Sequence, residues 1–260
     1  MTAKRLRSAG PFLLLLFLAL LFSSAVDASC PSLRSGELFE VAEVFDGDTL
    51  LLSDGRRIRL IGINTPETGW EDKPDEPHAK AAKRRLERLV SDSGKRIRLE
   101  KGHQQKDRYR RILVHVYSQN GKNLIEALLQ DGAGFQIAFP PNLDHLQCYS
   151  AAESRARAAG RGVWASASVA DAAGLARSVE GFRLLRGWVE KLQQSRRSLW
   201  LKIAGVKLRV DRSDLDHFNE GQLESLVGQR VEVRGWIRSY KGSQRIRIRH
   251  PSAIRKLDAM

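Results

Sequence analysis

The chain has 260 residues, 44 of them Lys or Arg and 30 Asp or Glu, for a formal net charge of +14. That length allows one large domain or two small ones. Its six histidines show no metal-ligand spacing, no Cys-x-x-Cys occurs and no glycine-rich phosphate loop is present, so neither a zinc site nor nucleotide hydrolysis is indicated.

The N-terminus has the layout of a secretory signal peptide. Lys4, Arg5 and Arg7 precede an unbroken apolar run from Phe12 to Phe22, and Val26 and Ala28 suit positions −3 and −1 of a cleavage site. We expect residues 1–28 to be removed on export to the periplasm or medium; an uncleaved membrane anchor is the alternative. Only two cysteines occur, Cys30 and Cys148. An oxidising compartment lets them pair, and the bridge would tie down the start of the mature chain; two lone thiols are the alternative.

Strands are expected over 37–46, 49–53 and 56–61, the last two joined at Asp54-Gly55, a strong hairpin signal. Residues 66–77 hold three prolines and read as a surface loop. A helix follows over 78–90, then strands over 95–100 and 112–117, a short helix over 123–130 and a longer one over 143–159. This order suggests a small closed barrel with packed helices, and a fold mainly β with α (α+β).

Residues 166–178 are rich in Ala and Ser and read as a linker between a domain at 30–165 and a second at 179–258. In the second, strands are expected over 182–192, 199–203, 206–210, 230–238 and 245–249, with a short helix between Asp214 and Val227. Five strands with a helix between the third and fourth are compatible with an OB-type barrel. No internal repeat is visible. Residues 1–29 carry +2, residues 30–178 carry +3 and residues 179–260 carry +9, so most of the excess charge lies in the last third. There Trp188, Trp200, Trp236 and Tyr240 are interleaved with arginines, a pattern suited to stacking bases and neutralising phosphates. Tryptophans in a barrel core and arginines on a solvated exterior would give the same pattern. From charge, removing residues 179–260 is expected to raise KM for long substrates with little change in kcat.

Three blocks carry chemistry: Asp46-Gly47-Asp48-Thr49, Arg59-Leu60-Ile61-Gly62-Ile63-Asn64-Thr65-Pro66-Glu67 and Asp107-Arg108-Tyr109-Arg110-Arg111. Ca2+ prefers hard oxygens, and Asp48 offers a carboxylate, Asn64 an amide oxygen and Thr65 its backbone carbonyl. Glu67 is free to hold a water beside phosphorus, and Arg59 and Arg111 can donate forked hydrogen bonds to phosphate. Singly, each has a bland reading: Asp46-Gly47 a turn, Asp48 a turn cap, Arg59 and Glu67 a surface ion pair.

Together and in order, the blocks resemble the active-site blocks of the staphylococcal nuclease (thermonuclease) family, over about residues 38–165. The resemblance implies a Ca2+-dependent phosphodiesterase on a five-stranded OB-like barrel, cutting DNA and RNA, single strands included, and leaving 3′-phosphorylated products. It implies catalysis by Arg59, Glu67 and Arg111, with Glu67 as general base, and metal binding by Asp48, Asn64 and Thr65. Arg108, Tyr109 and Phe139 are expected against the substrate, with Phe135 near the nucleotide. The basic C-terminal domain is expected as an accessory nucleic-acid contact, the protein as a monomer, and Ca2+ as the sole cofactor, with no nucleotide cofactor. Two positions depart from the family. Asn64 stands where a second aspartate is usual, which removes one charge from the cation site and predicts weaker Ca2+ binding. Arg110 stands where glycine is usual, and a modest local change in the turn is expected. The competing reading is a catalytically weak or inactive module that binds nucleic acid or another polyanion.

Overall fold

The computed structural model describes residues 29–69, 71–166 and 169–258. The expected signal peptide lies outside them. The first half is a closed five-stranded barrel. Strands β1 (Phe39–Val44), β2 (Thr49–Leu52) and β3 (Arg57–Leu60) run antiparallel in sequence order. After the two-residue strand β4 (Ile63–Asn64) and helix α1 (Ala79–Asp92) come β5 (Arg96–Lys106) and β6 (Ile112–Ser118). The barrel closes in the order β1-β2-β3-β6-β5, with β3 and β6 parallel. Alternation decides what points inward: Leu50, Leu52, Ile58 and Leu60 are buried, together with Ile97, Val114 and Val116. Ala79, Ala82, Leu86 and Val90 form the buried stripe of α1, at helical spacing.

Helix α2 (Leu124–Gln130) begins where the Asn123 side chain accepts from the N–H groups of Ile125 and Glu126. Strand β7 (Phe135–Gln136) pairs with β4. Helix α3 (Leu146–Ala158) starts three residues later than the sequence pattern suggests, because His145 takes a left-handed conformation with φ 62°. Cys30 and Cys148 form a disulfide with Cα atoms 5.2 Å apart. It pins the N-terminal segment to α3, and a bridge of this kind is typically worth roughly 2–4 kcal/mol.

The short helix α4 (Val163–Ser166) leads into the second half, which begins earlier than expected. Strand β8 (Ala170–Asp171) already pairs with β9 (Gly181–Gln194), and Ala172 is buried in the second core. The Ala/Ser-rich stretch is therefore no free spacer: its small side chains pack against the second barrel. Strands β10 (Ser198–Ile203), β11 (Val206–Asp211), β12 (Arg230–Tyr240) and β13 (Ser243–Arg247) follow, and β14 (Ile254–Lys256) adds to the edge of β12. Pairing of β12 with β9 closes a ring of β9-β10-β11-β13-β12, with β11 and β13 parallel. This is the circuit of the first barrel, first-second-third-fifth-fourth. The expected helix after β11 is instead two 3-10 turns, Arg212–His217 and Glu224–Leu226, separated by a segment in which Gly221 has φ +69°.

The barrels meet along a seam. Glu153 on α3 pairs with Arg234 on β12 at 2.8 Å, with only 10 and 11% of the two side chains exposed. Arg234 also donates to the Gln136 carbonyl, and Glu153 accepts from the Gln136 N–H. Arg157 reaches both carboxylate oxygens of Glu232 at 2.6 Å. Burial raises the pKa of Glu232, but Arg157 and Arg255 more than offset this and hold it below the usual carboxylate value. Beside these pairs Phe135 packs edge-on to Trp164 and against Phe182, so it belongs to the seam. Deleting residues 179–260 would strip Glu153 of Arg234, and so is no clean probe of substrate binding.

Removing one partner of a buried pair leaves an uncompensated charge. Arg234→Ala is expected to cost roughly 3 kcal/mol in urea unfolding. Arg234→Met combined with Glu153→Gln should recover most of that, because the side-chain amide oxygen introduced by Glu153→Gln still accepts from the Gln136 N–H; equal losses in both variants would deny the pair its role.

Candidate active site

The loop from β1 to β2 brings Asp46, Gly47 and Asp48 back under the barrel mouth. Its tightness depends on Gly47: a Cβ there would lie 2.6 Å from the Ala82 Cβ and 2.7 Å from the Thr65 Cγ2. The Asp46 carboxylate accepts from the Asp48 N–H at 2.8 Å, which fixes the turn. Asp48 is buried. One of its carboxylate oxygens accepts from the Thr65 N–H at 2.8 Å and pairs with Arg59 at 3.0 Å; the other accepts from the Thr49 hydroxyl at 3.1 Å. Arg59 in turn donates to the Ile63 carbonyl at 2.9 Å. Asp48, Arg59 and Thr65, named from sequence, are thus one hydrogen-bonded unit, and Asn64 sits beside them on β4.

The turn before β6 is organised by Asp107. It accepts from the N–H groups of Tyr109 and Arg111 and pairs with the Arg111 guanidinium at 2.8 Å. Arg110 has φ 65°, so the glycine-like backbone is kept and the arginine bears the strain, contrary to the expected change of turn. Tyr109 is 64% exposed, with Arg108 over its ring at 4.7 Å and Arg111 at 5.5 Å. Arg111 also approaches the Thr49 hydroxyl at 3.4 Å, which links the first and third blocks. The sequence reading gave Thr49 and Asp107 no task, though both stand inside the quoted blocks; the signal was Asp107 four residues before Arg111.

Arg59, Asn64, Glu67, Arg108, Tyr109, Arg111 and Phe139 all line one cleft of about 1080 Å3, and Asp48 and Thr65 lie directly beneath its floor. The opposite wall comes from the second barrel: Trp236, Arg238, Tyr240, Arg245, Arg247 and Arg249. Eight arginines face only two carboxylates, Glu67 and Asp107, along the lining, so the cleft attracts anions.

Negative charge is instead concentrated at the floor. Burial, and then repulsion by Asp48 and Glu67, pushes Asp46 up to about 7. Glu67 opens to the cleft, but desolvation by the surrounding walls and then Asp48 raise it above its usual value. No group of three or more His, Cys, Asp or Glu side chains positioned to hold a metal occurs among the described residues. The donor set read from sequence does not need one, since it joins a single carboxylate to amide and carbonyl oxygens. The raised Asp46 marks a place where a cation would relieve crowded carboxylates, and the all-oxygen set suits a hard cation.

The family model for staphylococcal nuclease homologues matches residues 57–166. The thermonuclease of Staphylococcus hyicus is 31% identical over 134 residues, which cover 50% of this chain and 77% of that protein. The chain belongs to the staphylococcal nuclease family. As a member it is an enzyme, a hydrolase of the nuclease type. The thermonuclease of Staphylococcus intermedius is 28% identical over 165 residues, covering 60% of this chain and 96% of its own. An uncharacterized endonuclease of Escherichia coli is 34% identical over 133 residues, 49% of this chain and 76% of that one. The first barrel is thus the OB-like barrel of the family.

A carboxyl whose pKa is raised by folding favours the folded state below its unfolded value, and that stability is lost as pH rises through the folded value. For Asp46 the window runs from the ordinary value of 3.8 to about 7. Asp46→Asn is therefore expected to stabilise the protein at pH 8 by on the order of 2 kcal/mol and to do nothing at pH 4. Denaturant unfolding at the two pH values checks this.

Proposed function

We propose that the protein is an exported, Ca2+-dependent nuclease of low sequence specificity that hydrolyses DNA and RNA. The convergence of Arg59, Glu67, Asn64 and Arg111 on one cleft wall carries this reading. Asp48, Asn64 and Thr65 are the residues that would hold Ca2+, which when bound polarises the phosphoryl group and offsets its charge. Glu67, raised in pKa and unencumbered, takes a proton from the attacking water. Arg59 and Arg111 hold the phosphate oxygens, and their hydrogen bonds strengthen as charge builds in the transition state. Much of the lining is guanidinium groups, suited to phosphates, and aromatic rings, which stack on any base face, and this make-up supports low sequence specificity. Export is supported by the layout of residues 1–28 and by the Cys30–Cys148 bridge. Both cleft walls come from one chain, so a monomer suffices.

Asn64 favours a second reading. A neutral oxygen where a carboxylate is usual weakens the cation site, and a basic cleft without turnover is a nucleic-acid or polyanion binder. Cleavage of single-stranded DNA by the mature protein separates the two. The nuclease should need Ca2+, stop in EGTA, and lose roughly 10^2–10^4 in kcat with Glu67→Gln. Asn64→Asp should lower the Ca2+ concentration required for half-maximal rate. Binding without cleavage at any Ca2+ concentration, even in Asn64→Asp, would leave the binder.

A further inference from the structure

We propose that the cleft carries a binding track for single-stranded nucleic acid, built from Trp236, Tyr240, Arg245 and Arg249 of the second barrel with Phe139 of the first, which feeds the strand to the cleavage centre. The inference rests on the nuclease reading and adds the preferred form of the substrate and the residues that select it, four of the five outside the region matched by the family model.

The track is continuous with the active-site wall, since all five residues line the cleft that also holds Arg59 and Glu67. Its aromatic faces are set for stacking. Phe139 lies stacked on Trp236, with centroids 5.5 Å apart and planes 28° apart, and is itself 40% exposed. Tyr240 is 54% exposed at the far end of β12. Phe139 and Tyr240 thus keep part of their apolar surface open to the cleft, where a base could stack.

The arginines divide into two kinds. Arg209 and Arg247 are tied to Asp211, and Arg247 also to Asp214. Arg245 and Arg249 have no carboxylate within ion-pair distance among the described residues, and rings alone hold them. Arg245 lies between Tyr240 at 4.5 Å and Trp200 at 5.2 Å, with its Nε buried and without a hydrogen-bond partner. Arg249 lies over Phe139 at 5.2 Å. Burial, then the charge of Arg247, and further down Arg108 from the first barrel lower the Arg249 pKa. Asp214 and Asp211 offset the Arg249 charge only from a distance, and cations without a direct ion-pair partner, braced by aromatic rings, make a site that a phosphate chain would complete.

The rings decide between single strand and duplex. Base faces are free to stack only in single strands, whereas duplex binding would be served by the arginines alone. The seam fixes the gap, since Arg234 lies on the same strand as Trp236 and Tyr240 and is held by Glu153.

The test is fluorescence anisotropy with a labelled 20-nucleotide single strand of mixed sequence and the corresponding duplex, in EGTA so that no turnover occurs. The wild type is expected to bind the single strand at least about tenfold more tightly than the duplex. Tyr240→Ala and Arg245→Gln, both on the cleft surface, should each weaken single-strand binding by roughly tenfold; Tyr240→Ala should leave duplex binding within about twofold, whereas Arg245→Gln, which removes a phosphate contact, should weaken both. Arg245→Gln should also reduce the salt slope by about 1. Equal affinity for duplex or for heparin, or unchanged single-strand affinity in both variants, would overturn the track. The Glu67→Gln protein, assayed in parallel for binding and for cleavage in Ca2+ beside the wild type, separates the two inferences: single-strand preference in a wild type that cleaves no faster than Glu67→Gln sinks the nuclease reading and leaves the track standing.

Discussion

Glu153 and Arg234 meet across the seam with about a tenth of each side chain exposed, and the geometry of the cleft depends on that meeting. A carboxylate on α3 would be costly to bury without a counter-charge, and Arg234 of the second barrel supplies one. The ion pair also positions β12, whose next residues reach into the cleft. An apolar seam of equal area would hold the barrels together, but it would allow them to slide. A hydrogen-bonded pair that also engages the Gln136 backbone has one register.

Charge is sorted by depth. The floor holds Asp46, Asp48 and Glu67, crowded enough that Asp46 resists ionisation to about pH 7. The walls hold arginines. An anionic substrate is drawn in by the walls, while the floor favours a cation between itself and the phosphate. Arg59 bridges the two zones, since it pairs with Asp48 below and lines the cleft above.

Much of the site was visible in the sequence because it is local: Asp46 to Thr49, Arg59 to Glu67 and Asp107 to Arg111 are short blocks whose internal spacing survives folding. Alternation of apolar residues located most strands of both barrels. What the sequence hid was long-range. Nothing in residues 166–178 shows that Ala170 would pair with Leu185, since small residues are compatible with a spacer and with close packing alike. The tryptophans of the last third read equally as core or as surface, and their half-exposed or exposed placement on β9, β10 and β12 emerges only from sheet register. The shared circuit of the two barrels left no sequence repeat, because a closed sheet asks for an inward apolar residue at every second position and little more. Arg110 shows the converse limit: the sequence flagged a misfit with a left-handed turn, and the backbone kept the turn regardless.

The early start of the second barrel has a mechanical consequence. Only three residues separate the end of α4 at Ser166 from the start of β8 at Ala170, a stretch whose ends can part by at most about 14 Å. Were the seam to open, the barrels would remain within millimolar effective concentration of each other and re-dock rather than drift apart. The width of the cleft is therefore set by the packing of the seam, with the tether keeping the two walls together. Any opening of the seam is then limited to a hinge about this short connection, with little room for the barrels to separate.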